Sequence, residues 1–279
     1  IVRMQSLIRG RSIRHGKTWQ RMRKLRLAVL EIVESERKYL NDLKTIKEMI
    51  EKASERLQNV SLLGQSKLVI DTMIQCNTIL LNDLEQTIAT DRYGRKVATA
   101  FVKFQKYLSY YSTYLNIYFP LKEYFDRKSS AIQEVVEWIS EELLNNTTFD
   151  NYFIRPIQRP PRYKLLLIAV RDALPEWWTD EDKELRMCIS KLRDVIFHLN
   201  SCMKRNTQHK VVEEVLAKLQ LPRKFRLPRN TSRRIIHEGY LTRPDKKDDG
   251  YYCILFSDYL VLAKMQRDVV KESFNESVN

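Results

Sequence analysis

Residues 153–174 read FIRPIQRPPRYKLLLIAVRDAL. Prolines at 156, 160 and 161 stand beside a solid apolar run, Leu165 to Val170. Proline is harmless in the first turn of a helix, but in the interior it removes a hydrogen bond and costs about 3 kcal/mol. A helix beginning near Pro156 is therefore expected to bend or restart around Pro160-Pro161, then to run to Leu174 before Pro175. The apolar run is far below the roughly 20 residues needed to cross a bilayer, so it reads as a buried core helix. Basic residues are interleaved just upstream: Arg155, Arg159, Arg162 and Lys164.

The pattern I-R-P-I-Q-R-P-P-R-Y-K-L-L-L resembles the third conserved region of the Dbl-homology (DH) domain of Rho-family guanine-nucleotide exchange factors. A generic proline-bent core helix explains the leucines. It does not explain Gln158-Arg159 beside Pro161-Arg162-Tyr163.

Upstream, a long helix is expected from Trp19 to Ala53. Leu25, Val29, Ile32, Glu36, Tyr39, Leu43, Ile46 and Ile50 follow the i, i+3, i+4, i+7 rule and form one stripe. Glu36 falls inside that stripe, and a buried carboxylate must be paired or hydrogen-bonded, so its role reads as structural. Glu31 lies on another face, free to touch a partner. The segment V-L-E-I-V-E-S-E-R-K-Y-L resembles the first DH conserved region. The resemblance implies that Glu31 contacts a GTPase and that Ser35-Glu36 stands where the family has Thr-Glu.

Ser61–Gly64 reads as a turn, Lys67–Ile88 as an amphipathic helix and Asp91–Gly94 as a break. Val97–Tyr118 carries an aromatic stripe of Phe101, Phe104, Tyr107, Tyr111 and Tyr114, closed by Pro120. At helical spacing such a stripe belongs to a core rather than to a base-stacking platform, and its shape resembles the second DH conserved region. Ser130–Leu144 reads as a shorter helix. Thr179-Asp180-Glu181-Asp182 then opens a helix running to about Leu219, with acids favourably placed at its N-terminus. Within it, R-D-V-I-F-H-L-N resembles the family's last long helix, which implies a GTPase contact at Asn200.

After Leu221-Pro222 the apolar period changes from helical to two. Gly239-Tyr240-Leu241, the run from Gly250 to Asp258, and Tyr259 to Lys264 are strand signals, with Asp248-Asp249-Gly250 as a turn. This stretch resembles the first three strands of a pleckstrin-homology (PH) domain, which follows the DH domain in this family. The resemblance breaks off there; the family needs four more strands and a C-terminal helix, usually with a tryptophan, and no Trp occurs after Trp178. The module reads as a partial PH domain.

Composition agrees. Only six glycines occur in 279 residues and none between Arg95 and Glu238, so the middle should be helical. The net charge of +14 is uneven: residues 1–26 carry nine Lys and Arg and no acid, and residues 222–247 carry nine against Glu238 and Asp245. Such patches suit an acidic protein, a lipid headgroup or nucleic acid. Arg233 and Arg234 precede the first hairpin, and Arg243, Lys246 and Lys247 lie in it, a set suited to an anionic membrane surface.

Near the start, Gln5, Arg9, Gly10 and Arg14 stand at the spacing of an IQ motif, with Met4 where that family usually has Ile. The segment resembles the basic amphipathic helices clasped by calmodulin and related EF-hand proteins, with Leu7, Ile8 and Ile13 as further anchors. A plain solvated basic helix is the other reading.

Cysteines 76, 188, 202 and 253 form no CxxC pair, so neither a zinc site nor a disulfide framework is expected, and a reducing, cytoplasmic setting fits. No phosphate-binding loop, metalloprotease motif or nucleophile cluster is recognisable, so no covalent chemistry, metal or cofactor is expected. The expectation is a mainly α protein: a basic extension over 1–18, an elongated DH-type helical bundle over 19–220, and a partial, β-rich PH-like module over 221–279. The resemblance implies an exchange factor for a Rho/Rac-type GTPase, peripherally associated with membrane, in which Glu31 engages switch I while Arg162 and Asn200 engage switch II. A helical adaptor that binds EF-hand proteins or sequesters a GTPase without exchange stands as the alternative. A nucleic-acid role rests on the sequence pI of about 9.6 alone, and no nucleic-acid motif supports it.

Overall fold

The computed structural model describes residues 16–57, 60–143, 147–219, 230, 233–243 and 246–264. The basic stretch with Met4, Gln5, Arg9, Gly10 and Arg14 lies outside the described residues. Two compact units are present, Ile1–Asn200 and Ser201–Asn279.

In the first unit α1 (Lys17–Arg56) packs mainly against α2 (Val60–Thr90) and α7 (Arg155–Ala173). The whole stripe expected on α1 is buried, Glu36 included. α2 begins earlier than the sequence suggested. Gly64 sits inside it on the exposed side, with nothing near the position a Cβ would take, and the expected Ser61–Gly64 turn is absent. Buried Leu63 and Ser66 anchor that first stretch.

The expected Val97–Tyr118 helix is divided by a 3-10 turn at Gln105–Tyr107 into α3 (Val97–Phe104) and α4 (Ser109–Phe125). Pro120 does not close α4. Leu121, Tyr124 and Phe125 are buried beyond it, and their packing carries the helix one further turn past the missing N–H. Phe101, Phe104, Tyr111 and Tyr114 are core residues, as their spacing implied, and Tyr107 is half-buried.

α5 (Ser130–Leu143) packs on the C-terminal part of α1. There the Arg56 guanidinium stacks 3.5 Å from the Trp138 ring centroid and Lys52 pairs with Glu142 at 2.7 Å. The short α6 (Phe149–Phe153) leads through Ile154 into α7. α7 neither stops nor restarts at Pro160-Pro161 and is helical throughout its length. Its apolar run is divided by the helical period: Leu166, Leu167 and Val170 are buried, whereas Leu165 is 59% exposed.

α8 (Thr179–Lys218) belongs to both units, since the division falls inside it rather than at its end. Its first part contributes Leu185, Cys188, Ile189, Leu192 and Leu199 to the helical core. In the second unit Val212, with Val215 and Leu216, packs against Ile254, Phe256 and Tyr252 of a three-stranded antiparallel sheet. That sheet has the order β1 (Ile235–Arg243), β2 (Lys246–Phe256), β3 (Leu260–Lys264). The expected Asp248–Gly250 turn lies within β2. Arg243 pairs with Lys246 and Thr242 with Gly250, so a register shift absorbs the residues between. All four cysteines are free thiols. Among the described residues no helix is long and apolar enough to cross a membrane.

One glycine fixes how the loop after α2 reaches α1. Gly94 has φ of +65°, and a Cβ on it would lie 2.7 Å from Val29 Cγ1. Gly94→Ala should lower stability by about 2–4 kcal/mol, combining the left-handed penalty with overpacking. Chemical denaturation of Gly94→Ala, Val29→Ala and the double variant should show that Val29→Ala costs less in the Gly94→Ala background than in the parent. Strict additivity would mean that the close approach is not the cause.

Candidate functional site

The groove between α1 and α7 rests on a buried polar cluster. Glu36 is fully buried, and its Oε2 accepts a hydrogen bond from Arg159 Nη2 at 2.5 Å. Arg159, itself 6% exposed, also donates from Nη1 to Ser35 Oγ at 2.6 Å. The Tyr163 hydroxyl lies 2.8 Å from both Glu36 Oε2 and Asn77 Oδ1 and shares its one proton between them. Tyr111 donates to Asn77 Oδ1 at 3.1 Å, and Asn77 Nδ2 donates to the Met73 carbonyl. The Arg159 guanidinium lies over the Tyr163 and Tyr39 rings, 4.4 and 4.8 Å from their centroids.

Burial holds the Glu36 carboxyl above its ordinary pKa, although Arg159 and the hydroxyl of Tyr163 pull it down. Burial also works against the charge on Arg159, but Tyr163 and Glu36 outweigh it and raise the guanidinium pKa. Desolvation pushes the Tyr163 phenol well above its usual range, so it remains a hydrogen-bond donor.

This cluster sets the rotation of α7 against α1. Arg159 and Tyr163 are four residues apart and share one helix face, which is turned inward by Glu36. Arg162, one residue from Tyr163, is thereby turned outward and pairs with Glu31 at 2.8 Å, with side chains 52% and 55% exposed. The open groove around the pair is lined by Glu34, Ser35, Lys38, Gln158, Pro161 and Leu165. Deeper along it Arg155 pairs with Asp42, whose carboxyl burial raises above its ordinary pKa.

Glu31 and Arg162 are therefore brought together. Asn200, the last residue of the first unit, is exposed on α8 with buried Leu199 beside it, and it makes no hydrogen bond to either. No local pattern signals that Glu31 and Arg162 pair, because the register between two helices so far apart in the chain is set by tertiary contacts.

In the second unit Arg233 is displaced from the surface role expected of it. It is 3% exposed and pairs with Asp258 at 2.9 Å, and this partner lowers the Asp258 pKa. Arg234 is exposed. Arg243 ends β1 and Lys246 and Lys247 begin β2.

A family model described as RhoGEF domain matches residues 28–200. A protein of Dictyostelium discoideum, guanine exchange factor for Rac 30, is 24% identical across 99% of this chain, which covers 17% of that protein. Among solved structures, autoinhibited Vav1 superposes with a TM-score of 0.69 at 18% identity, over 91% of this chain and 46% of that one. The complex of PDZ-RhoGEF DH/PH domains with GTP-gamma-S-activated RhoA gives 0.66 at 19% identity, over 88% and 75%. The fold is thus that of a DH domain followed by PH-type strands. The chain spans less than a quarter of the length of that Dictyostelium relative.

Replacing one partner of the buried pair strands the other. Glu36→Ala and Arg159→Ala should each destabilise the protein by about 3–5 kcal/mol, and the double variant by clearly less than their sum. Urea unfolding followed by circular dichroism measures all three. A double variant equal to the sum would show that the two side chains are not coupled.

Proposed function

The chain belongs to the RhoGEF domain family, and from that premise we propose that it accelerates GDP release from a Rho/Rac-family small GTPase by stabilising the nucleotide-free state. The observation that carries the reading is the exposed Glu31–Arg162 pair at the α1–α7 groove, inside the matched region. In this reading Glu31 engages switch I, and Arg162 and Asn200 engage switch II. The chemistry is differential binding. A factor that holds the empty GTPase more tightly than the loaded one weakens nucleotide binding by the same factor, by linkage. No bond of the nucleotide is made or broken by this chain.

Two further partners complete the proposal. An EF-hand protein such as calmodulin would clasp Met4–Arg14, and Arg234, Arg243, Lys246 and Lys247 would draw the second unit towards an anionic membrane. Arg233 is left out of that set because Asp258 holds it inside.

Release of a fluorescent guanine nucleotide from a panel of Rho- and Rac-type GTPases tests the central claim. At least one member should release faster with the protein present; tight binding of a GTPase without release would make the chain a sequestering scaffold instead. Glu31→Ala, Arg162→Ala and Asn200→Ala should each slow exchange about 30-fold or more, since truncating one side of a buried interfacial charge contact costs about 2–5 kcal/mol. Melting temperatures should hardly move, because exposed ion pairs contribute about 0–1 kcal/mol to stability. A variant that melts early and exchanges slowly in proportion would mark a structural residue rather than a contact.

A further inference from the structure

One end of the helical unit gathers cations that lack carboxylate partners around protruding apolar side chains. Three segments meet there. Arg21 near the start of α1 pairs with Glu176 of the α7–α8 connection at 2.9 Å, and Arg26 donates to the Arg92 carbonyl of the α2–α3 loop at 2.8 Å. Arg95 of that loop pairs with Glu181 and lies over Trp178, its guanidinium 4.5 Å from the ring centroid.

The acids at this end are all engaged. Glu176 and Glu181 are held by the arginines just named, Asp180 by Lys183 and Asp182 by Arg186. The Asp91 carboxylate accepts the backbone N–H groups of Tyr93 and Arg95. The basic side is different. Arg23, Lys24, Arg26, Arg92 and Lys96 are exposed and have no carboxylate partner among the described residues. Beside them Trp177 is 63% exposed, Leu27 56% and Trp19 37%, with the Arg23 guanidinium 5.8 Å from the Trp19 ring centroid.

We propose that this end of the helical unit is a membrane-docking surface for anionic lipid, built on residues other than the Glu31–Arg162 pair and those of the strand module. Unpartnered Lys and Arg supply attraction to acidic headgroups. Exposed tryptophan is the side chain suited to the headgroup level, where its ring is in the boundary and its N–H stays wet. Leu27 adds an aliphatic group that a stack of bases would not use but an acyl boundary accepts. Because the carboxylates here already hold partners of their own, Asp91 the backbone N–H groups of its loop and the others a cation, binding an anionic surface breaks no existing ion pair.

The test uses the whole chain and vesicles of phosphatidylcholine, with or without about one third phosphatidylserine. Binding should require phosphatidylserine and weaken as salt rises. Brominated acyl chains in those vesicles should quench tryptophan fluorescence, and Trp19→Phe/Trp177→Phe should remove most of that quenching while sedimentation with vesicles persists. Lys24→Glu/Arg92→Glu/Lys96→Glu should lower vesicle partition by about a hundredfold at an unchanged melting temperature. Lys24→Gln/Arg92→Gln/Lys96→Gln serves as the milder variant if charge reversal disturbs folding. Vesicle binding without tryptophan quenching would place the membrane contact on the strand module and overturn the proposal. So would binding to duplex DNA or to an acidic protein with none to vesicles.

Discussion

The arrangement of the helical unit turns on one carboxylate out of water. Glu36 has no exposed surface, and an ionised carboxyl there is tolerable because a guanidinium and a phenol reach it. The pair is not evidence of great stability. Its Oε1 and the Arg159 Nε are buried without a hydrogen-bond partner, and desolvation of two charges offsets much of their attraction. Its effect is selective. Any other rotation of α7 about its axis would strand both charges, so the cluster discriminates against alternative registers more than it deepens the native one. Tyr163 extends the same constraint to Asn77 on α2 and to the aromatic residues Phe101, Phe104 and Tyr111, whose rings meet it edge-on at 5.3–6.5 Å.

What the sequence made legible, and what it hid, follows from the range of the forces involved. The α1 stripe, the position of Glu36 within it and the change from helical to strand period all depend on neighbours a few residues away, and all are present in the structure. The continuation of α4 through Pro120 and the unbroken run of α7 through Pro160-Pro161 are not local. A proline's lost hydrogen bond weakens a helix by a fixed amount, but buried Tyr124 and Phe125, or Tyr163 and Leu166, return more through packing. Gly64 misled in the other direction, since an exposed helical glycine costs about 1 kcal/mol and so does not end a helix held by its flanks.

The strand module shows the same limit. Arg233 and Arg234 are adjacent and indistinguishable by composition, yet one is buried against Asp258 and the other exposed. What separates them is the turn at Ser257–Asp258, where the backbone N–H of Ser257 donates to the Arg234 carbonyl and the Asp258 carboxylate takes the Arg233 guanidinium. Likewise, the helix that carries Asn200 continues without a composition signal into the segment whose Val212 packs on Ile254 and Phe256. A helix can serve two cores when its apolar face is read by different neighbours along its length, and no break in the sequence is needed to mark the change.

The contrast between the two acid–base pairs on α1 and α7 bears on how such a surface can work. Glu36–Arg159 is inside and cannot exchange partners without unfolding the packing around it. Glu31–Arg162, one helical turn further towards the start of α1, is half in water at each end and is worth little in isolation. Opening it to meet new partners therefore costs little, while the same groups, once desolvated against complementary charges, make contacts whose loss is expensive. The buried pair fixes where these side chains stand, and the exposed pair remains free to change what they touch. A rigid register with loosely held charges is the combination that a surface needs if its binding energy is to be realised in the complex rather than within the free protein.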